Sequence, residues 1–269
     1  MNIKKNNEIL KTSINSDGIL VLTLNDPKNH NALSEEMIFN IQTSLDESIN
    51  NNEVRVIIIS AEGPTFSAGH DLKELTLSRK NPDKGRAYFK KIMSKCSKLM
   101  QAIVNNPKPV IAEVSGVATA AGCQLVASCD LAYASKSAKF ATPGVNIGLF
   151  CSTPMVAVSR NISNKHTMEM LLSGEFVSSE KAEKIGLVNK SIDDSSLKKQ
   201  TLEMAIKISK KSAMTLKIGK EAFYKQIDMT LSDAYDYASK VMVDNMLKLD
   251  AEEGIGAFIE KRKPNWQDK

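Results

Sequence analysis

The sequence predicts an α/β domain followed by a helical C-terminal region, and three observations carry that expectation. Two stretches share one pattern: a buried apolar run, a turn of small residues, and a helix start. The first runs from Val54 to Ser60 into Phe66-Ser67-Ala68-Gly69-His70-Asp71-Leu72. The second runs from Val110 to Val114 into Ser115-Gly116 and Ala118-Thr119-Ala120-Ala121-Gly122. Such alternation of strands with helices builds an α/β sheet. Third, the chain reads as helices alone from Asp193 onward, so residues 1–192 form the expected core and 193–269 the helical region.

Residues 8–15 and 19–25 flank Ser16-Asp17-Gly18 and read as a hairpin that ends at Asn25-Asp26-Pro27. Ser34 is placed to cap a helix with Glu35 and Glu36 in its first turn and Ile38, Ile41, Leu45 and Ile49 as its apolar stripe. Val54 to Ser60 is continuously apolar after Arg55, as a buried strand requires. Asp71 is placed to cap the next helix. Residues 76–86, with Pro82 and Gly85, read as a surface loop. Ala87 to Asn105 has a helical stripe of Met93, Cys96, Leu99, Met100 and Ile103, which Pro107 and Pro109 terminate.

After Asp130 a short strand (Leu131 to Ala134) is expected, then Lys139 to Gly148, then helices over 154–161, 164–173 and 179–185, the last two closed by Gly174 and Gly186. Leu187 to Ser191 reads as the final strand. The C-terminal helices are interrupted near Lys211-Ser212, Asp228 and Asp250. Their methionines (Met204, Met214, Met229, Met242, Met246) suit packing and subunit contact.

Composition narrows the function. The chain has 269 residues, 36 basic and 31 acidic, for a net charge of +5. That excess is too diffuse to argue for nucleic acid; only Lys261-Arg262-Lys263 is compact, and it suits a small phosphate-bearing ligand or a solvated helix end. The four cysteines (Cys96, Cys123, Cys129, Cys151) show no CxxC spacing and read as reduced thiols. No secretory or transit pattern is visible in MNIKKNNEILKTS, and no apolar run approaches the ~20 residues of a membrane span, so a cytoplasmic location with no membrane partner is expected. There is no GxxxxGK[ST], no GxGxxG after a strand, no HExxH and no GxSxG, so no metal and no tightly held cofactor is expected. What remains is two small-residue turns able to aim backbone N–H groups at one oxygen. Taken alone, the second turn fits such a site or a tight packing bend without a ligand.

Several ordered motifs then give the chain a resemblance to the crotonase (enoyl-CoA hydratase/isomerase) superfamily. Asp26-Pro27-Lys28-Asn29-His30-Asn31-Ala32-Leu33 resembles its first motif, Phe66 to Leu72 its first oxyanion loop, and Gly116 to Asp130 its second. Gly174-Glu175, Gly186-Leu187-Val188 and Ala257 to Arg262 resemble later landmarks, so the likeness runs to Trp266. It implies a spiral of ββα units with a C-terminal trimerisation region, assembled as trimers or dimers of trimers. The implied substrate is an acyl thioester of coenzyme A. Its oxygen would be held by the backbone N–H groups of His70 and Ala121. Lys28, Ala32, Ala68, Asp71 and Leu72 would bind the CoA moiety, with Phe258 and Lys261 contributing from across a subunit boundary.

The departures matter as much. Hydratases of this superfamily use two glutamates, and the matching positions here are Gln124 and Gly144. Neither residue can be a general acid or base. The pattern is most similar to the branch of enoyl-CoA hydratase domain-containing proteins. His70 has an imidazole that titrates near neutrality, and Cys151 stands where a related methylmalonyl-CoA decarboxylase carries tyrosine; either side chain could touch the acyl group or be structural. The expected function is acyl-CoA processing in fatty-acid or related metabolism through an oxyanion hole. The alternatives are a malonyl-type decarboxylase, an enoyl-CoA isomerase, and a non-catalytic acyl-CoA-binding protein.

Overall fold

A computed structural model describes residues 9–269. The hairpin forms as β1 (Leu10–Ile14) and β2 (Ile19–Leu24), joined through Asn15, whose side chain accepts from the N–H groups of Asp17 and Ile19. A single 3₁₀ turn over Pro27–Asn29 precedes α1 (Glu35–Ile49), which Ser34 caps through the Met37 N–H. Met37, Ile38, Ile41 and Leu45 are its buried face. Ile49 was expected in that stripe but, as the last residue of the helix, is exposed.

From here the chain alternates between two sheets. β3 (Val56–Ala61) joins the larger sheet and β4 (Thr65–Ser67) the smaller. Asp71 caps α2 (Leu72–Ser78) by accepting from Lys73 and Glu74 N–H groups, so residues 76–78 of the expected loop are helical; α3 (Arg86–Asn105) follows. β5 (Val110–Val114) returns to the larger sheet and β6 (Val117–Thr119) to the smaller, leading into α4 (Ala121–Ser128). β7 (Leu131–Ser135) and β8 (Lys139–Ala141) repeat the step. Each unit thus supplies one strand to each sheet and is followed by a helix.

Then come α5 (Ser152–Val158), α6 (Asn164–Ser173), β9 (Val177–Ser178), α7 (Ser179–Ile185) and β10 (Lys190–Ile192). The final strand lies later than the expected Leu187 to Ser191. Leu187 and Val188 are spent on the helix-closing turn, where both N–H groups donate to Ala182 O, and pairing starts only at Lys190. The larger sheet runs β1-β2-β3-β5-β7-β10, parallel apart from the first hairpin; the smaller runs β4-β6-β8-β9, parallel except its last pair. The main core lies between them, with α1, α3 and α4 contributing Leu45, Leu99, Ile103 and Leu125.

The helical remainder comprises α8 (Leu197–Ser209), α9 (Ala213–Gln226), α10 (Leu231–Met246) and α11 (Leu249–Ile259). Although α8 lies beyond residue 192, it packs on the larger sheet, with Leu197 and Ala205 buried against Ile58, Ile111 and Tyr133. The later helices are held by polar ties. Lys220 Nζ donates to Asp130 Oδ2 (2.6 Å) and to the carbonyls of Ile103 and Lys108, while Tyr224 OH donates to Asp130 Oδ1. At the tail, the buried Asp250 carboxylate accepts from Gln267 and Asp268 N–H groups, and Arg55 pairs with Asp268. Among the described residues no helix is long and apolar enough to cross a membrane, and no cluster of His, Cys, Asp and Glu could hold a metal ion.

Candidate active site

Three adjacent parallel strands of the smaller sheet, β4, β6 and β8, end at Ser67, Thr119 and Ala141. The residues just past them are Ala68-Gly69-His70, Ala120-Ala121 and Thr142. Loops at the carboxyl ends of parallel strands are where α/β sheets gather ligand-binding groups.

These ends are tied to one another. Thr119 Oγ1 donates to Ala68 O (3.2 Å), and Ala120 N–H donates to Ala141 O (3.0 Å). A Cβ on Gly69 would lie 2.9 Å from both Ala120 Cβ and Ala121 N, so only glycine lets the two turns touch. A Cβ on Gly122 would fall 2.2 Å from Ser67 O, which seats α4 flush against β4. Ala120 pays for this closeness with φ 49° and ψ −119°, a conformation that costs a non-glycine residue about 1–3 kcal/mol.

The outcome is a pair of free donors. Ala121 is the first residue of α4, where an N–H has no acceptor within the helix. The His70 N–H also meets no protein acceptor among the described residues, whereas groups just before it are engaged: Ala68 N–H donates to His30 O (3.0 Å), Gly69 N–H donates to Ser67 Oγ (3.3 Å), and Gly69 O accepts from Leu33 N–H (2.7 Å). The segment 30–33 that grips this loop is itself fixed by Asn31. Its buried side chain donates to Glu62 O and Thr65 O and accepts from Asp26 N–H.

Around these donors lie polar groups without partners. Neither ring nitrogen of His70 makes a well-formed hydrogen bond, and burial pushes its pKa below the ordinary imidazole value, partly opposed by a weak polar contact with the Leu33 backbone, so the ring is neutral at pH 7. Gln124 is 4% exposed and its Oε1 meets no donor; the fully buried Thr142 hydroxyl is likewise alone. Buried polar groups without partners are rare in folded proteins, and each calls for an explanation.

Gly144 and Cys151 form one local unit. Gly144 N–H donates to Cys151 Sγ (3.3 Å), and a Cβ on Gly144 would sit 2.9 Å from that sulfur and 2.8 Å from Leu149 O. Position 144 therefore has no room for a side chain in this backbone. Burial pushes the Cys151 thiol up, with the Gly144 N–H acting the other way, so it is a protonated thiol rather than a nucleophile.

The other expected residues divide into two groups. Lys28 and Ala32 lie on the segment beside Ala68 and His70, and Asp71 and Leu72 open α2 from the same loop; Lys28, Ala68 and Leu72 are exposed and Ala32 is buried. Phe258 (85% exposed) and Lys261 are elsewhere, at the end of α11, which packs on α10. No hydrogen bond joins either to the turn loops among the described residues.

The architecture has relatives. The enoyl-CoA hydratase/isomerase family model matches residues 15–269. The chain belongs to that family. A human protein named enoyl-CoA hydratase domain-containing protein 3, mitochondrial, is 49% identical over 250 residues, covering 93% of this chain and 81% of the relative. Its solved structure has a TM-score of 0.89 at 46% identity, covering 98% and 99% of the two chains. A solved enoyl-CoA hydratase from Mycobacterium smegmatis reaches a TM-score of 0.92 at 44% identity, covering 97% and 99%. The α/β fold is thus the crotonase fold. One expectation is overturned: the human relative and its mouse and rat counterparts are named mitochondrial, which points away from a cytoplasmic location.

Sequence reasoning missed Thr142, Ala120 and Asn31. Asn31 stands in the first motif and could have been found there. The positive φ of Ala120 leaves no trace in composition, since alanine is not a residue that signals a left-handed backbone.

Proposed function

We propose that this family member is an acyl-CoA-processing enzyme that holds the thioester oxygen between the N–H groups of His70 and Ala121 and stabilises the enolate that develops there. The observation that supports the reading is two unpaired backbone donors on abutting turns, beside Ala68, Gly69 and Ala120 N–H groups that are already engaged. Backbone donors fixed before the substrate arrives need no reorganisation as charge builds on the oxygen, and one such donor contributes about 2.7–4 kcal/mol of transition-state stabilisation. Lys28, Ala32, Ala68, Asp71 and Leu72 line the approach for the CoA moiety. Phe258 and Lys261 serve a neighbouring copy in a trimer or hexamer, where the Lys261 ammonium meets a phosphate as a point charge.

The absence of both carboxylates narrows the reaction class in this reading. Gln124 has no titratable proton and position 144 has no space for a side chain. Two-glutamate hydration is therefore disfavoured. Decarboxylation of a malonyl-type thioester suits the site: the C–C bond to the carboxylate breaks, CO₂ leaves, its electron pair becomes the enolate held by His70 and Ala121, and a proton from solvent completes the product. A double-bond shift and simple acyl-CoA binding are the other readings this donor set allows.

The test is incubation of the purified protein with enoyl-, malonyl-type, hydroxyacyl- and saturated acyl-CoA thioesters, read by mass spectrometry. Loss of CO₂, gain of water or release of CoA names the reaction; chromatography detects a shifted double bond. Failure to bind any thioester would sink the proposal.

A further inference from the structure

The positive excess, spread out along the sequence, is gathered by the fold beside the candidate site. Residues 73–98 hold nine basic residues against two acidic ones, and the rest of the chain holds 27 against 29. The net charge therefore resides in α2, the loop after it and the first part of α3. Eight of the nine cations are exposed. Little neutralises them. Glu35 Oε1 is shared between Lys91 (2.5 Å) and Lys95 (2.7 Å), which hold its carboxyl below the usual range. Asp83 is engaged by the N–H groups of Gly85 and Ala87. Among the described residues Lys80, Lys84, Arg86, Lys90 and Lys98 pair with no carboxylate.

Polar ties fix this face to the loop that carries the His70 donor. α2 starts at Leu72, two residues after His70. Leu33 N–H donates to Gly69 O (2.7 Å), and close behind it Glu35 N–H donates to Glu74 Oε2 (3.0 Å), which also accepts from Tyr88 OH (2.8 Å). Lys73 Nζ donates to Asn29 Oδ1 (3.0 Å), next to Lys28. From Arg86 to Lys98 the cations extend about 18 Å along α3. The phosphates of one CoA molecule sit together on one nucleotide and cannot engage a row of that length.

Resting on the thioester reading above, we infer that the face formed by α2 and α3 docks an acidic carrier protein. Such a carrier presents its acyl group as a thioester on a phosphopantetheine arm, the arm that CoA also has. A surface of unpaired like charge steers and selects a partner of opposite sign. Docking here leaves the arm only the His70 loop to pass before its thioester reaches the two N–H groups. Other polyanions fit less well. Single-stranded nucleic acid stacks on open aromatic faces, whereas Phe89 is half-buried under the Arg79 guanidinium (5.3 Å) and Tyr88 is bonded to Glu74. A bilayer surface takes a broad apolar face, and Leu72 and Leu77 alone are large, apolar and exposed in this stretch.

The test is titration calorimetry with four probes: butyryl-CoA, an acyl carrier protein loaded with butyrate on its arm, the same carrier without its arm, and vesicles of equal parts phosphatidylcholine and phosphatidylserine. Wild-type protein should bind the loaded carrier, and the affinity should fall at least about tenfold between about 0.01 M and about 0.15 M salt. Arg86→Glu with Lys90→Glu and Lys98→Glu should weaken both carrier forms by about tenfold or more. The same variant should bind butyryl-CoA within about twofold of wild type, because these charges lie along α3 and are screened from the nucleotide. The glutamine triple at the same positions, which adds no repulsion, should show the same selective loss at smaller size. A wild type that binds butyryl-CoA and ignores the loaded carrier overturns the inference; vesicle binding in its place would assign the face to lipid. Equal loss of both thioesters in the two triples, at an unchanged urea midpoint, also overturns it and gives the cations to the CoA nucleotide. If the carrier without its arm docks but butyryl-CoA does not bind, the thioester reading alone has failed.

Discussion

Helices α4 and α10 make opposite use of the same chain. Every residue of α4, Ala121 to Ser128, is buried, and the helix touches β4, β6, α3 and α5. α10 is twice as long, yet none of its residues is buried; Ala234, Tyr237, Val241 and Asn245 face inward only partly, while Leu231, Tyr235, Met242 and Met246 stand in solvent. The first is fixed by backbone contacts so close that only glycine fits at 69 and 122. The second is fixed by a polar tie at one remove, through α9. A site that must aim two N–H groups needs the first kind of support; a surface that presents side chains needs only the second.

Breaking that tie should give the largest effect. Lys220 and Asp130 are both mostly buried, and Lys220→Met leaves the Asp130 carboxylate without its cation. Loss of one partner of a buried pair costs about 3–5 kcal/mol, whereas replacing both by apolar groups is often nearly neutral. Urea unfolding should therefore show a large loss for Lys220→Met and substantial recovery when Asp130→Leu is added. Equal stabilities for wild type and the single variant would mean that α9 is held by something else.

Ala121→Pro acts on the other region. Proline is accommodated at the first position of a helix, so the change deletes the donor while keeping α4, although it also strains the Ala120 turn before it. Turnover of whichever thioester the protein processes should fall by about 10²–10³. Sedimentation should remain that of the wild type, which separates a lost donor from a lost fold.

The next effect is smaller and concerns the empty position. Gly144→Ala places a methyl group 2.8 Å from Leu149 O, and such overpacking costs about 1–3 kcal/mol. The same crowding bears on restoring a hydratase: Gln124→Glu with Gly144→Glu should bring little crotonyl-CoA hydration, because the second carboxylate cannot be seated without moving the loop to Cys151. Rapid hydration by the double variant would show that the loop yields easily.

The two regions also differ in how legibly the sequence describes them. Around α4 the signals were local: the apolar run Val110–Val114, the small-residue turn and the helix start could be read directly, and so could the Asp71 cap. What escaped was set by tertiary contact. β6 and β9 are three and two residues long, too short to show alternation. The strain at Ala120 arises where its turn abuts Gly69 and its N–H is tied to Ala141 O. The crowding at Gly144 depends on a carbonyl five residues away. In the C-terminal region helices were legible, but the break expected near Asp250 falls at Leu247 and Lys248; Asp250 instead turns inward to bind the tail.

His70 offers a pH test of the buried side. Its pKa is lowered by burial, so below the ordinary value of about 6.5 the unfolded chain takes up a proton before the folded one does. The stability held by the neutral ring is full above that value and is lost as the pH falls through the lowered folded value. His70→Gln removes the titration. Between about pH 7.5 and about pH 5.5 the wild type should lose more urea resistance than the variant. Parallel losses would mean that the ring reaches solvent when protonated.

The smallest change in chain stability should come from α10, and there the comparison sharpens most. Tyr235→Ser with Met242→Ser alters two exposed side chains that support none of the core, and such surface changes usually stay within about 0.5 kcal/mol. If the exposed stripe contacts other copies, as proposed for a trimer or hexamer, the same pair of changes should reduce the sedimenting mass while unfolding of the separated chain is scarcely altered. An unchanged assembly would leave α10 as a solvent-facing brace for α9. Either result separates the stability of the chain from that of its assembly, which the buried and exposed helices of this protein divide between them.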